Sequence, residues 1–339
     1  MTDKVRWGVL STAHIGIEQV VPAIQQGRNC EVVAIASRDL GKGRIAADRL
    51  AIPEAHGSYE ELLANQDIDA VYIPLPNHLH REWAIAAARA GKHVLGEKPL
   101  ALSADEAQEI VDACADAGVK LMEAFMYRLH PSWAKVRELV ASGAIGELRS
   151  VQTLFAYFND DPANIRNQTE TGGGALMDIG CYAINLSRMM FGSEPTRVEA
   201  SVRRHPSFGT DIVTSAILEF GDGHAGFVVS TQTEDYQRVH LLGSDGRIEV
   251  EIPINIPPDR ESRVFLTQGG DPPVDPHTTT ITFPPANQYT IQAELFAQAI
   301  LDDTPVPTPP SDAVANMRVI DQILEAATLP PSGGSTRTK

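Results

Sequence analysis

Asp178 and Tyr182 stand four residues apart behind Gly172-Gly173-Gly174, so on a helix both side chains share one face. A tyrosine, with an ordinary pKa of about 10, takes the proton of a carbinol hydroxyl only if a neighbouring cation lowers that value. Lys98, in Glu97-Lys98-Pro99, is the cation this sequence offers, held at a strand's end by the ring of the following proline. The three together describe removal of a hydroxyl proton as hydride leaves the same carbon: Tyr182 exchanges the proton, Lys98 lowers its pKa and binds the hydroxyl, and Asp178 orients them. Each has a plainer use as well. Aspartate is a favoured helix N-cap, tyrosine packs inward, and most lysines are exposed.

A hydride needs a carrier. Ser11-Thr12-Ala13-His14-Ile15-Gly16 has the spacing of G-x-G-x-x-G with Ser and Ala at the first two glycine positions, the turn that brings backbone N–H groups and a helix N-terminus up to a pyrophosphate. The next strand ends Ala36-Ser37-Arg38, where an NAD-selective site would carry an acid for the ribose hydroxyls. Ser37 and Arg38, with Lys42 in the following turn, suit a 2′-phosphate instead, which favours NADP over NAD; Asp39 is the competing carboxylate. Leu75, Pro76, Asn77 and His80 lie just past another strand, and Asn77 is either a cofactor contact or the cap of the helix that follows. His78 and His80, two apart, point in different directions, and no metal site is expected. Zincin, serine-hydrolase and P-loop signatures are absent.

The elements that must position these residues change rhythm near residue 125. Before it, short apolar runs at 5–10, 31–36, 69–75, 93–97 and 119–125 alternate with amphipathic helices, two of them opened by the capping boxes Ser58-x-x-Glu61 and Ser103-x-x-Glu106. Nearly continuous apolar strands predict a parallel sheet covered on both faces, a doubly wound α/β domain over 1–125. After it, a helix opens at Pro131, and strands are predicted at 148–158, 198–204, 212–220, 226–232, 239–244 and 247–252, interrupted by a helix over 178–191. That is an α+β domain over 126–330 with an open, mainly antiparallel sheet. Dense prolines predict loop and irregular edge structure over 253–285; helices are expected at 290–302 and 312–327, then a flexible tail over 331–339.

The 339 residues are enough for two domains without disulfide or metal staples. With 28 Lys+Arg against 44 Asp+Glu the net charge is −16, which disfavours nucleic acid and anionic membranes as partners. Three scattered cysteines suit a reducing cytoplasm. No signal-peptide core and no apolar run near 18 residues is seen, so neither export nor membrane insertion is expected.

Taken together, GVLSTAHIG (8–16), ASR (36–38), PLPNHLH (74–80), GKHVLGEKP (91–99), EAFMYRLHP (123–131) and GGGALMDIGCY (172–182) resemble the glucose–fructose oxidoreductase / inositol dehydrogenase / rhizopine-catabolism (Gfo/Idh/MocA) family. The resemblance implies that Lys98 is the lysine of its E-K-P motif and that Asp178 and Tyr182 fill its D-x-x-x-H/Y positions. Tyrosine at the last position is similar to the NADP-dependent D-xylose dehydrogenase, dimeric dihydrodiol dehydrogenase and glucose–fructose oxidoreductase branch. It further implies that Arg166, in Asn164-Ile165-Arg166, lies at the nicotinamide end, and that the open sheet joins subunits into a homodimer or homotetramer. The function it implies is NADP-dependent hydride exchange with a sugar or related vicinal diol, for which Arg128, Phe158 and Tyr289 are further candidates for the substrate pocket. Two other uses of such a scaffold are a sugar–sugar oxidoreductase that keeps its cofactor bound and a non-enzymatic cofactor sensor.

Overall fold

In the computed structural model, which describes residues 4–271 and 275–327, six parallel strands form the first sheet: β1 (Val5–Leu10), β2 (Cys30–Ala36), β3 (Glu54–His56), β4 (Ala70–Ile73), β5 (His93–Gly96) and β6 (Leu121–Glu123), in the order β3-β2-β1-β4-β5-β6. All of β4 is buried, as expected of a strand covered on both faces. Helices α1 (Val21–Gln26), α2 (Leu40–Leu50), α3 (Tyr59–Ala64), α4 (His80–Arg89) and α5 (Ala104–Asp116) make the crossovers. Ser58 and Ser103 accept the N–H groups of Glu61 and Glu106 as the capping boxes require. The chain enters α1 through a wider turn over Gly16–Val20, so Pro22 falls in the first turn of α1, where its missing N–H costs nothing. β3 is absent from the expected strands; at three partly exposed residues it has no apolar run to announce it.

After α6 (Pro131–Ala141) come β7 (Leu148–Phe158), α7 (Cys181–Phe191), β8 (Arg197–Arg204), β9 (Asp211–Phe220), β10 (Gly223–Ser230), β11 (Gln232–Gly243), β12 (Gly246–Val250), β13 (Ser262–Asp271) and β14 (Asp275–Phe283). They form an eight-stranded sheet in the order β14-β13-β12-β11-β7-β10-β9-β8, antiparallel except where β7 meets β10. The proline-rich stretch read as loops contains the hairpin β13–β14. It sits at the sheet's edge, where a strand tolerates prolines because half its backbone groups need no ladder partner. Val151, Thr153 and Phe155 of β7 point inward, and α7 covers that face.

α8 (Gln288–Leu301) and α9 (Pro310–Ala326) close the described chain, and the tail expected over 331–339 lies outside the described residues. α8 returns to the first sheet: Ala293, Phe296 and Ala297 are buried against it, and the Phe296 ring meets Trp7 at 5.7 Å between centroids. The parallel layer is thus completed by a helix about 170 residues beyond its last strand. One apolar core runs on from α4 and α5 through Phe125, Tyr182 and Phe155 into the second sheet, so the two layers are packed as one body. Among the described residues no helix is long and apolar enough to cross a membrane.

Candidate active site

The strand order reverses between β1 and β4, the place where open parallel sheets leave a crevice at their carboxyl ends. A cleft of about 600 Å³ occupies it, closed on the far side by β7, by the 164–173 segment and by the start of α7. Ala13, His14 and Ile15 line it from the turn after β1, Leu75 and Asn77 from the segment after β4, and Glu97 and Lys98 from the end of β5. Arg166, Asp178, Tyr182 and Tyr289 line it from the other side. Residues distant in the sequence thus meet as the spacing of their motifs suggested.

Lys98, joined to Pro99 by a cis peptide bond, donates from Nζ to the Asp178 carbonyl at 2.7 Å and to its Oδ1 at 3.0 Å. Arg166 Nε donates to Asp178 Oδ2 at 2.8 Å, and the Tyr157 hydroxyl donates to the same oxygen at 2.6 Å. Burial alone would push the Asp178 carboxyl up, but Lys98 and Arg166 beside it hold it well below the usual carboxylate range. Burial disfavours the Lys98 ammonium, yet Asp178 raises its pKa above the ordinary lysine value. The assembly is two cations around one anion, with one of the three lysine N–H donors unspent on Asp178. Glu97 accepts from the Tyr72 hydroxyl at 2.7 Å, and burial raises its pKa.

Tyr182 does not sit as its expected role supposed. The Lys98 ammonium lies over the ring, 5.0 Å from its centre, while the hydroxyl donates to Met126 Sδ at 3.8 Å. Burial pushes the phenol well above its ordinary pKa, and no cation at the oxygen offsets this, because the Lys98 ammonium stands over the ring and turns two donors to Asp178. The hydroxyl is therefore protonated at neutral pH.

Three other expected contacts are corrected by packing. His80 is buried with one ring nitrogen on the Pro99 carbonyl at 2.9 Å and the other on the Leu75 carbonyl at 2.7 Å. It ties two cleft-lining loops together and has no ring nitrogen left for a cofactor. Arg128 lies behind α7, where it pairs with Asp312 at 3.0 Å and donates to Asn185. Phe158 projects from the opposite face of β7 and is 58% exposed. Side chains alternate along a strand, so the cleft receives Phe155 and Tyr157 instead, a parity that the inward-facing apolar run 151, 153, 155 carries in the sequence itself.

One positioning residue had no such signal. Asp211, at the start of β9, accepts the Leu176 N–H and the Thr214 hydroxyl, each at 2.7 Å, and so caps the segment that leads into α7. Gly174, at φ +117°, passes so close that a Cβ there would stand 1.9 Å from Asp211 Oδ1. Asn77 starts a short 3-10 turn and does not cap α4; its Nδ2 donates to the Gly172 carbonyl at 2.9 Å, joining the first layer to the glycine run.

At the cofactor end, Ser11 holds φ +143°, a conformation that favours glycine, and its Oγ accepts the Ala13 N–H at 2.9 Å. Thr12 is half-buried in the same turn, whose following helix presents its first N–H groups without intrahelical partners. Ser37 is buried at the end of β2, with Arg38 and Lys42 exposed beyond it. Asp39 caps α2, its carboxylate accepting the Lys42 N–H at 3.2 Å.

A Rossmann sheet with an open antiparallel sheet beside it, meeting at a lysine–aspartate–tyrosine cleft, defines a class of dinucleotide-dependent oxidoreductases. Residues 5–125 match the oxidoreductase family with an NAD-binding Rossmann fold, and residues 133–249 match the GFO/IDH/MocA C-terminal domain. The chain belongs to the Gfo/Idh/MocA oxidoreductase family. It is 42% identical to D-xylose 1-dehydrogenase (NADP(+)) 2 of Haloferax volcanii, over 95% of this chain and 97% of that one. A 3-ketoreductase from Actinomadura kijaniata, solved with NADP and TDP-benzene, superposes with a TM-score of 0.89 at 30% identity, covering 96% and 98% of the two chains. An aldose-aldose oxidoreductase from Caulobacter crescentus, solved with glycerol, gives 0.88 at 27% identity over 96% and 97%.

Proposed function

We propose that this protein is an NADP-dependent oxidoreductase that moves a hydride between nicotinamide and a CH–OH carbon of an aldose such as D-xylose, or of a related vicinal diol. The observation that carries the reading is the Lys98–Asp178–Arg166 assembly beside a protonated Tyr182, facing the turn at 11–16 across one cleft. The residues present fit a dinucleotide. The Ala13–Ile15 backbone would take the pyrophosphate, and Leu75, Pro76, Asn77 and Glu97 would border the ribose and ring. Arg38, with Ser37 and Lys42, would hold a 2′-phosphate, while Asp39 gives Oδ1 to the α2 cap. The D-xylose dehydrogenase relative is named for NADP(+), and the ketoreductase was solved with it, which supports the same choice here.

When bound, the nicotinamide supplies or accepts the hydride. Lys98, with its unspent N–H, binds the substrate oxygen and stabilises negative charge developing there. Asp178 holds Lys98 and Arg166 in place, and Tyr289 closes the substrate side. Tyr182 gives its proton to that oxygen in reduction. In oxidation the hydroxyl must be ionised to accept it, so dehydrogenation gains as pH rises. NADP⁺ reduction across aldoses, inositols and dihydrodiols, repeated with NAD⁺, tests the reading: turnover of aldoses or diols with NADP⁺ is expected, and none on the whole panel would sink it. Arg38→Ala should weaken NADP⁺ by about 10- to 100-fold, the range for a lost charge-assisted bond, and leave NAD⁺ unchanged.

The likeness to an aldose-aldose oxidoreductase favours a second reading, a cofactor kept bound while two sugars exchange hydride. NADP(H) that purifies with the protein and does not exchange would support it. For assembly, the sheet face away from α7 carries Leu154, Ile217 and Val228, each more than 40% exposed, an apolar stripe suited to a second copy of the chain. A homodimer or homotetramer is expected in sedimentation, and Leu154→Asp should dissociate it. Three free, buried cysteines accord with a reducing cytoplasm as its location.

A further inference from the structure

Lys98 sits in a short loop whose two ends are held by one residue. β5 ends at Gly96, the chain turns through Glu97 and Lys98, half-buried at the cleft, and Pro99 and Leu100 are buried again. The ends close on each other: a Cβ on Gly96 would stand 3.0 Å from Leu100 Cδ1. Leu100 lies outside any strand, so its buried N–H needs a partner from elsewhere. Glu123, the last residue of β6, serves both ends. At the first, it pairs in register with Gly96, whose carbonyl accepts the Ala124 N–H at 2.8 Å. At the second, its Oε1 accepts the Leu100 N–H at 2.8 Å. The other edge of that same peptide, the Pro99 carbonyl, faces His80 Nδ1 at 2.9 Å. Two buried side chains thus grip the Pro99–Leu100 peptide plane from opposite sides.

A carboxyl is an expensive residue for packing alone. Glu123 is 3% exposed and its Oε2 has no partner, a cost that an apolar side chain would avoid. What the carboxyl supplies and an apolar side chain does not is the acceptor for Leu100. Two residues upstream, Lys98 Nζ has to keep 2.7 Å to the Asp178 carbonyl and 3.0 Å to its Oδ1 while its third N–H meets the substrate oxygen. Those bonds fix only the tip of a long side chain, and a misplacement of about 1 Å in such a group costs about 10²-fold in rate. We propose that Glu123 is a positioning residue for hydride transfer: holding Gly96 through the sheet and Leu100 through its carboxyl, it fixes the backbone that presents Lys98 to Asp178 and to the substrate oxygen. This rests on the oxidoreductase reading above.

Glu123→Gln keeps the acceptor oxygen and Glu123→Leu removes it at similar volume, so the pair separates positioning from packing. On an aldose or diol that the protein turns over, Glu123→Leu should lower kcat about tenfold, the effect of one such hydrogen bond, with the substrate KM and the NADPH affinity read by fluorescence within about twofold of wild type. Glu123→Gln should keep kcat near the wild-type value. If Glu123→Leu does not fold, Glu123→Met, which also lacks the carbonyl acceptor, takes its place. Added to Lys98→Ala, the same substitution should lower kcat no further, because the group it positions is gone. An unchanged kcat in Glu123→Leu, an equal loss in Glu123→Gln, or a tenfold loss that persists beside Lys98→Ala each overturns the positioning role while the oxidoreductase reading stands. If no substrate is turned over although NADPH binds, or if Lys98→Ala by itself leaves turnover unchanged, that reading fails and the positioning role with it.

Discussion

Two clusters of the same composition lie on either side of α7. In front, Asp178 is held by Lys98 and Arg166; behind, Asp312 is held by Arg128 at 3.0 Å and Arg188 at 3.2 Å. Each is two cations around one carboxylate. The front cluster borders a cavity, Arg166 is 41% exposed at its side chain, and Lys98 keeps a donor to spend. The rear cluster's donors are matched: Asn185 bonds Asp312, Arg128 and Tyr127, Arg188 also pairs with Glu194, and Asn316 donates to the Cys181 carbonyl. Charge type therefore does not make a site. Access does, and the rear cluster's work is to fix α7 to α9 so that the front cluster keeps its geometry.

Substitutions should separate the two. The largest effect is expected in front: Lys98→Ala or Tyr182→Phe should lower kcat by about 10²- to 10⁴-fold, the usual contribution of positioned proton transfer, and for Tyr182→Phe the urea midpoint should be nearly unmoved. Unchanged kcat/KM on a verified substrate would remove these residues from the mechanism. Behind, Asp312→Ala should leave the buried Arg128 guanidinium without a carboxylate, Arg188 keeping Glu194, and cost about 3–5 kcal/mol in urea unfolding, while kcat of the folded fraction changes little. A large loss of kcat with stability intact would mean that the rear cluster communicates with the reaction.

Glu123 gives a subtler test beside the rear cluster. Burial pushes its carboxyl up to about 8, Oε1 accepts the Leu100 N–H at 2.8 Å, and Oε2 has no partner. Because the folded state holds this proton and the unfolded chain releases it near the ordinary glutamate value, stability should fall as pH rises from about 4.5 to 8. Glu123→Gln should flatten that slope, read from urea midpoints across the range; a slope that persists would assign it elsewhere. Asp211→Asn should have the smallest effect, about 1–2 kcal/mol in kcat/KM through a looser Leu176 contact. Its loss should appear in kcat more than in KM, since α7 positions groups that act in the chemical step.

Much of this was legible in the chain. β1, α3 and β7 fall where the apolar runs and the Ser58 box put them, and the E-K-P and D-x-x-x-Y motifs do converge on one cleft. Such features are local or repeat at a fixed period, so the sequence holds their whole cause. Arg128 and Phe158 were misplaced for two different reasons. Arg128 finds its partner Asp312 184 residues away, which no spacing records. Phe158 was one residue out on a strand, and a shift of one exchanges the two faces.

The sequence by itself determined the elements, the parallel sheet, the crevice at its carboxyl ends and the residue types available there, because period, capping and glycine spacing are properties of neighbouring residues. Only the tertiary structure decided which charges meet. It brought α8 back under β1, closed Asn77 onto the glycine run, and turned two Lys98 donors onto Asp178 rather than onto the Tyr182 oxygen. Those outcomes depend on packing between segments a hundred or more residues apart, where burial, not proximity along the chain, sets which polar groups must find one another.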